Sequence, residues 1–242
     1  MRVALAQIKP TLSKKNLEKH IEILENLDSS NDLVIFPELS LNGYYLQDKV
    51  FEDAWQIEEL SKIEQLSLKF DTVVGAVLKD RRRLYNSALY YSNGELLHTH
   101  RKRELPNYGL FEEARFFDSG KSLDHFETKF GRVALLICED LWSGKIFGEL
   151  AEIEPDLIIV ISNSPARGFH DKGIEIVEQW KALLKSASIL SKATTIFVNR
   201  VGFEDGLGFW GGSMIIDSRG NIIENLPLYE EEIKSFEILD LR

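Results

Sequence analysis

The sequence is short of cysteine, of basic residues and of long apolar runs, and each shortage excludes a class of protein. Its single cysteine, Cys138, cannot form an internal disulfide and is too few for a thiolate metal cluster. Lys and Arg number 29 against 39 Asp and Glu, and the resulting net charge of -10 argues against a nucleic acid as the main partner. The longest apolar runs, such as 133–138 and 157–161, fall far short of the ~20 residues that cross a membrane as a helix. We therefore expect no nucleic-acid partner and no membrane, and if Cys138 has a role, it acts as a thiol.

Signals for secretion and for domain boundaries are also missing. The amino terminus has neither the apolar core nor the small-residue cleavage site of a signal peptide, so we expect a cytoplasmic protein. No Gly/Ser/Pro-rich linker and no internal repeat interrupts the chain. With 44% hydrophobic and 28% charged residues, the composition is that of an ordinary globular protein. The 242 residues are therefore predicted to form one domain over 1–242.

Apolar, β-branched runs alternate with segments of helical period, which predicts an α/β protein. The predicted strands cover 3–8, 33–36, 72–78, 87–91, 132–138, 157–162, 195–201 and 213–217. Helical periods cover 55–70, 142–153 and 174–192, and a first helix is expected after Ser13, a good N-cap residue. Two hairpins, turning at Asn93-Gly94 and near Arg219-Gly220-Asn221, predict that antiparallel strands join the sheet.

Three positions carry candidate chemistry, although none is specific alone. Cys138 ends an apolar strand-like run, where α/β proteins present reactive groups, but a buried core cysteine is an equally good interpretation. Glu38 lies where the chain leaves the strand 33–36, a position analogous to that of Cys138. The alternative interpretation is a solvated loop carboxylate. Lys102 follows a predicted hairpin within 101–103, a pattern that is also typical of a solvated basic cluster.

Taken together, the blocks around these residues resemble a known family. Phe-Pro-Glu at 36–38, the segment 101–113 and Ile-Cys-Glu-Asp at 137–140, in this order, are similar to the nitrilase superfamily of carbon-nitrogen hydrolases. Further similar segments are 162–165, 199–202 and 211–213, so the resemblance covers essentially the whole chain. The run 105–109 and Glu113 most resemble the glutaminase domain of glutamine-dependent NAD synthetases.

The resemblance implies a fold, a catalytic set and an assembly. The fold would be a four-layer αββα sandwich, and the catalytic residues would be Glu38, Lys102 and Cys138, supported by Glu113. The assembly would be a homodimer or a larger homo-oligomer acting on a small molecule. Neither a cofactor nor a metal ion is expected.

The residue types suit hydrolysis of an amide. A thiol with a pKa near ~8.5 needs a base during attack, and the carboxylate of Glu38 is expected to be that base. Lys102 and the backbone N–H of Glu139 are expected to stabilise the oxyanion. The acidic side chains of Glu139 and Asp140 must then point away from the thiolate or be offset by basic neighbours.

Other residues are weaker candidates. Tyr108, Phe111, Glu139, Ser164 and Arg167 are the candidate substrate-binding residues, and Arg167 suits a substrate carboxylate. His170 is an alternative base for Cys138, but it leaves Glu38 and Lys102 without a role. His98 and His100 share one face of a hairpin strand, yet two ligands do not make a metal site.

The sequence thus predicts a hydrolase that cleaves a small amide or N-carbamoyl compound through a cysteine thioester. The alternatives are an ammonia-supplying glutaminase subunit of a separate synthetase, or a non-catalytic homologue that binds a small molecule. The glycines at 206–212 form no phosphate-binding loop, so we expect that the chain does not make NAD by itself. Because bulky Trp210 is expected near the pocket, free glutamine is predicted to be a poor substrate.

Overall fold

Two six-stranded sheets form the centre of the molecule, as seen in a computed structural model that describes residues 1–171 and 173–241. The strands are β1 Arg2–Gln7, β2 Leu33–Ile35, β3 Asp71–Asp80, β4 Arg83–Ser92, β5 Glu95–Arg101, β6 His125–Thr128, β7 Gly131–Ile137, β8 Leu157–Ser162, β9 Phe169–His170, β10 Gly173–Ile174, β11 Thr194–Asn199, β12 Val201–Glu204, β13 Leu207–Trp210, β14 Met214–Ile216, β15 Ile222–Asn225 and β16 Glu232–Glu237. The helices are α1 Asn16–Asn26, α2 Val50–Asp53, α3 Ser61–Leu66, α4 Glu113–Phe116, α5 Gly144–Ile153 and α6 Glu175–Ser191, with 3-10 helices at Gln47–Lys49, Ile57–Leu60 and Cys138–Trp142.

Both sheets are mixed, with parallel strands at the centre. The first sheet has the order β16-β1-β2-β3-β4-β5, in which β1, β2 and β3 are parallel neighbours. The second has the order β15-β14-β11-β8-β7-β6, in which β11, β8 and β7 are parallel. Parallel strands present their carboxyl ends at one edge of the sheet, which is where α/β proteins place their ligands. A site is therefore expected in the chain segments that follow β2, β7 and β8.

Successive side chains of the central strands point to opposite faces of each sheet, and this divides the core into layers. In β7, Leu135 and Ile137 pack between the two sheets, whereas Ala134 and Leu136 face α5 and α6. The other sheet repeats this pattern, because alternate residues of β1 face α1 and α3 instead. Strands buried on both faces need apolar residues on both, which explains the continuous apolar runs in the sequence. The four-layer αββα sandwich of the sequence prediction is confirmed.

Both predicted hairpins are present. β4 and β5 are antiparallel and joined at Asn93 and Gly94, both of which have positive φ, as the tightest hairpin turns require. β14 and β15 are likewise antiparallel across the turn that contains Gly220. These turns were readable from the sequence because their backbone conformation restricts the residue types that fit.

Two local predictions are wrong. The helix predicted over 55–70 is interrupted, because the backbone of Trp55 pairs with Leu78 near the end of β3 and only Ser61–Leu66 is α-helical. Ser13 is not the N-cap of the first helix, which begins at Asn16. The Asn16 side chain instead holds the preceding loop, accepting from the backbone N–H of Thr11 at 2.9 Å.

Within the part of the chain that the structure describes, no helix is long and apolar enough to span a membrane.

Candidate active site

Glu38 lies just after β2 and is fully buried, with its carboxylate held by three donors. Oε1 accepts hydrogen bonds from Asn86 Nδ2 and from Lys102 Nζ, each at 2.7 Å. Oε2 accepts from the backbone N–H of Asn163, also at 2.7 Å. This carboxylate is therefore fixed by a residue of β4, by a residue just after β5 and by a residue just after β8.

Lys102 directly follows β5 and bridges two carboxylates. Its Nζ lies 2.7 Å from Glu38 Oε1 and 2.7 Å from Glu113 Oε1, and all three side chains are buried. Burial alone would lower the pKa of Lys102, but Glu113 and Glu38 raise it well above its usual value. The lysine is therefore charged. An ammonium group has three N–H donors, and the described residues accept from two of them, which leaves one for a substrate.

Glu113, at the start of α4, completes the charged cluster. Its Oε1 also accepts from Tyr44 Oη at 2.7 Å. Burial raises the pKa of Glu113 to about 7, although Lys102 opposes the shift. Burial also raises the pKa of Tyr44, together with the negative charge of Glu113, so the phenol stays protonated and donates.

Cys138 follows β7 in a strained backbone conformation with a φ of 45°. Residues other than glycine rarely adopt this left-handed region, and such strain is often found at functional sites. Its Sγ accepts a hydrogen bond from Ser162 Oγ at 3.3 Å. Burial raises the pKa of the thiol well above its usual value, and the charge of Glu38 adds to this effect while Lys102 opposes it. The resting thiol is therefore protonated beside a carboxylate that can accept its proton.

Asp140 ties the turn that carries Cys138 to the segment that carries Lys102. Its buried Oδ2 accepts from Ile137 N at 3.0 Å and contacts His100 Nε2 at 2.8 Å. Its Oδ1 accepts from the backbone N–H groups of Arg103 and Glu104 at 2.8 and 3.0 Å. Despite its burial, these hydrogen bonds hold the pKa of Asp140 below its usual value. The Asp140 carboxylate thus has four partners in the structure, and we call this arrangement the Asp140 clasp.

A cavity opens beside Cys138, and most of the predicted substrate-binding residues line it. Phe111, Glu139, Ser164 and Arg167 line this cavity together with Cys138. Tyr108 contacts one of the lining residues, donating from Oη to Glu139 Oε1 at 2.9 Å. Of the two arrangements expected for Glu139, the structure favours an offset of its charge by a basic neighbour, since Glu139 and Arg167 line the same cavity.

The structure separates the other sequence candidates from this cavity. His170 is exposed on β9, and Trp210 is fully buried, stacked on Phe197 between the second sheet and the outer helices. The expectation that Trp210 shapes the pocket is therefore wrong. His98 stacks on Phe126, and the described residues include no group of three or more potential His, Cys, Asp or Glu metal ligands.

Sequence reasoning missed several residues of the site, among them Tyr44, Asn86 and Asn163. These contact Glu113 or Glu38 or line the cavity. Asn163 lies inside a segment that resembles the family, which was an available signal. Asn86 is an interior position of a strand and Tyr44 a loop residue, and nothing in their local sequence indicates a role.

Comparisons with known proteins agree with the geometry. The family model described as carbon-nitrogen hydrolase matches residues 2–239. A glutamine-dependent NAD(+) synthetase from Thermotoga maritima is 34% identical over 254 aligned residues, which cover 96% of this chain and 41% of that protein.

Solved structures are similar as well. The glutamine-dependent NAD+ synthetase from Acinetobacter baumannii, in complex with ADP, superposes with a TM-score of 0.83 at 29% identity, covering 97% of this chain and 44% of that one. A carbon-nitrogen hydrolase from Helicobacter pylori gives a TM-score of 0.85 at 22% identity, covering 96% of this chain and 87% of that one. An amidase of the nitrilase superfamily from Nesterenkonia gives 0.82 at 20% identity, covering 98% and 90%. The chain spans about two fifths of the length of the curated synthetases that it matches.

Proposed function

The chain belongs to the carbon-nitrogen hydrolase family, and from this we propose that it hydrolyses the side-chain carboxamide of glutamine and releases ammonia. The observation that carries the proposal is the cluster of Glu38, Lys102 and Glu113 beside the Cys138 thiol. Such a cluster pairs a nucleophile with a base and a charged hydrogen-bond donor. The proposed activity differs from the small-amide hydrolase favoured by the sequence, and it corresponds to the glutaminase alternative.

The first half of the proposed reaction forms a thioester. Glu38 takes the proton of Cys138 while the sulfur bonds to the amide carbon and the carbonyl electron pair moves to oxygen. The free N–H of Lys102 stabilises this oxyanion, as donors aimed at developing charge do. When the C–N bond breaks, the departing nitrogen takes the proton from Glu38 and leaves as ammonia.

The second half consumes water. Glu38 takes a proton from water, whose oxygen bonds to the thioester carbon. The C–S bond then breaks, the sulfur takes that proton from Glu38, and glutamate leaves. Because Glu38 is fully buried and held by three donors, it stays in place through both halves.

Two charges in the cavity support glutamine as the substrate. Glu139 and Arg167 offer a carboxylate and a guanidinium, which complement the α-ammonium and α-carboxylate groups of an amino acid. The Arg167 guanidinium lies 5.9 Å from the ring centres of both Phe111 and Trp142, within reach of the cation–π attraction that helps to orient it. The similarity to glutamine-dependent synthetases over nearly the whole chain supports the same choice.

Ammonia release from a panel of compounds tests this proposal. The panel contains glutamine, asparagine, small aliphatic amides, N-carbamoyl amines and nitriles. Glutamine is expected to give the highest kcat/KM, above ~10⁴ M⁻¹s⁻¹, the lower end of the usual enzyme range. Mass spectrometry of quenched samples should show a γ-glutamyl adduct on Cys138.

The matched control is Cys138→Ala, which should abolish both turnover and adduct while keeping the fold. Faster turnover of a small amide or an N-carbamoyl amine than of glutamine would assign the site to those compounds instead. Full activity in well-folded Cys138→Ala would contradict the thioester mechanism.

A further inference from the structure

The Asn163 side chain is buried, and neither of its polar atoms has a hydrogen-bond partner among the residues that the structure describes. Only 2% of the residue is exposed, and both Oδ1 and Nδ2 are unpaired in the structure. Asn163 lines the same cavity as Cys138. Buried polar side chains in native proteins are almost always paired, and leaving one unpaired costs stability. The unpaired carboxamide therefore calls for an explanation.

The position of Asn163 is set by its backbone and its neighbours rather than by its side chain. Its N–H donates to Glu38 Oε2 at 2.7 Å. On one side Ser162 Oγ donates to Cys138 Sγ at 3.3 Å, and on the other Ser164 N donates to Asn199 Oδ1 at 2.9 Å. The segment 162–164 is thus bound to the base, to the nucleophile and to β11, while the Asn163 carboxamide is left to the cavity.

We propose that Asn163 recognises the carboxamide that the enzyme cleaves. A primary carboxamide has N–H donors on one side and a carbonyl acceptor on the other, which is the complement of the two unpaired atoms of Asn163. In the bound state, Oδ1 accepts from the substrate NH₂ group and Nδ2 donates to the substrate carbonyl oxygen. This inference rests on the proposed function, because it takes a carboxamide as the substrate.

The pairing makes Asn163 a specificity-determining residue for the bond that is broken. An ester of the same shape has no N–H to give to Oδ1, so it leaves that atom unpaired and keeps only the contact of Nδ2. Sites built to hydrogen-bond a substrate group discriminate strongly against analogues that lack it. The ratio of kcat/KM for a carboxamide to kcat/KM for the corresponding ester should therefore be higher than the intrinsic reactivities of the two bonds would give.

The test compares wild type and Asn163→Ala on glutamine and on the γ-methyl ester of glutamate. We expect Asn163→Ala to lower kcat/KM for glutamine about 100-fold and for the ester about 10-fold, so that the amide-to-ester ratio falls about tenfold. The melting temperature should stay the same or rise, because the substitution removes two unpaired buried polar atoms. Asn26→Ala, at an exposed position of α1, is the matched control and should change neither kinetics nor melting.

A structural role for Asn163 would give a different result. The melting temperature would then fall by several degrees and both substrates would lose the same factor, which would overturn the inference. Wild-type kcat/KM for glutamine in Asn163→Ala would overturn it as well.

A binding measurement separates this inference from the proposed function. Calorimetry with glutamine is performed on Cys138→Ala and on Cys138→Ala combined with Asn163→Ala, neither of which can turn the substrate over. The double variant should bind at least tenfold more weakly, and equal binding by the two proteins would overturn the role of Asn163. A wild-type enzyme that hydrolyses no carboxamide would instead overturn the proposed function.

Discussion

Because the Cys138 thiol is protonated at rest, the proposed reaction needs Glu38 as a base, and Lys102 alone does not keep the thiol ionised. Burial and the Glu38 charge raise the pKa of the thiol, so a thiolate forms only as the proton moves to the base. This differs from enzymes in which a nearby cation keeps the cysteine ionised at rest. The resting enzyme should therefore be poorly reactive toward simple alkylating agents and fully reactive only toward its substrate.

Replacing Glu38 with glutamine should separate thiol reactivity from catalysis. Glu38→Gln removes the base, so hydrolysis should fall about 10²- to 10⁴-fold. It also removes the negative charge that raises the Cys138 pKa, while Lys102 remains, so alkylation by iodoacetamide near pH 8 should become faster than in wild type. The rates of ammonia release and of adduct formation by mass spectrometry measure the two effects. Slower alkylation in Glu38→Gln would show that the carboxylate activates the resting thiol.

Glu113 makes stability depend on pH. Its pKa is about 7 in the folded protein against about 4.5 when exposed, so the unfolded chain releases this proton first as pH rises. The stability that the protonated carboxyl provides is complete below about pH 4.5 and is lost as pH rises through about 7, a loss of about 3 kcal/mol. Between these pH values the free energy of unfolding should fall more in wild type than in Glu113→Gln. Denaturation is measured for both proteins at pH 4.5, 6 and 7.5. The same change in the free energy of unfolding with pH in both would contradict the raised pKa of Glu113.

At the scale of elements, the Asp140 clasp joins the carboxyl end of β7 to the segment after β5. Glu38 and Lys102 belong to the first sheet and Cys138 to the second, so a connection between the sheets has to fix their separation. The clasp is such a connection, because the Asp140 carboxylate accepts from the backbone N–H of Ile137 in β7 and from those of Arg103 and Glu104 after β5. Small errors of alignment between reacting groups cost large factors in rate.

Asp140→Asn should therefore reduce catalysis without disrupting substrate binding. An amide cannot accept four hydrogen bonds, so the Cys138 turn should shift relative to Lys102. We expect kcat to fall about 10- to 100-fold, with a much smaller change in KM. Asp124→Asn, at an exposed position, serves as the control. If KM and kcat changed together, or if kcat were unchanged, the clasp would have no part in aligning the two groups.

The sequence predicts those elements that are determined by residues close together in the chain. The central strands and the two hairpins were predictable, because apolar alternation and turn residues act over a few positions. The break at Trp55 was not, because it depends on pairing with β3, far along the chain. Within the site, Glu38, Lys102 and Cys138 stood out by their strand-end positions and family blocks. Asn86 and Tyr44 did not, since only the folded sheets bring them to Glu38 and Glu113.

At the scale of the whole molecule, we predict self-association through the carboxyl end of α6. Ile189 and Leu190 are 52% and 60% exposed near the carboxyl end of this helix. Exposed apolar side chains that lie together are typical of contact surfaces, and the family resemblance implies a homo-oligomer. We expect light scattering to show a dimer or larger assembly. Replacing both residues with glutamate should give smaller species, whereas Leu68→Glu, at another exposed apolar site, should not. An unchanged mass in the double variant would place the contact elsewhere.

The site spans the boundary between the two sheets, so catalytic activity also reports how well the sheets are docked. Glu38 and Lys102 extend from one sheet and Cys138 and Asn163 from the other, and neither sheet alone carries a working set. A compact state that kept its strands but loosened the packing between them would retain its far-ultraviolet circular dichroism and lose turnover. During gradual denaturation, hydrolysis should therefore decline no later than secondary structure does. The rate of the proposed hydrolysis would thus report how well the two sheets are packed together.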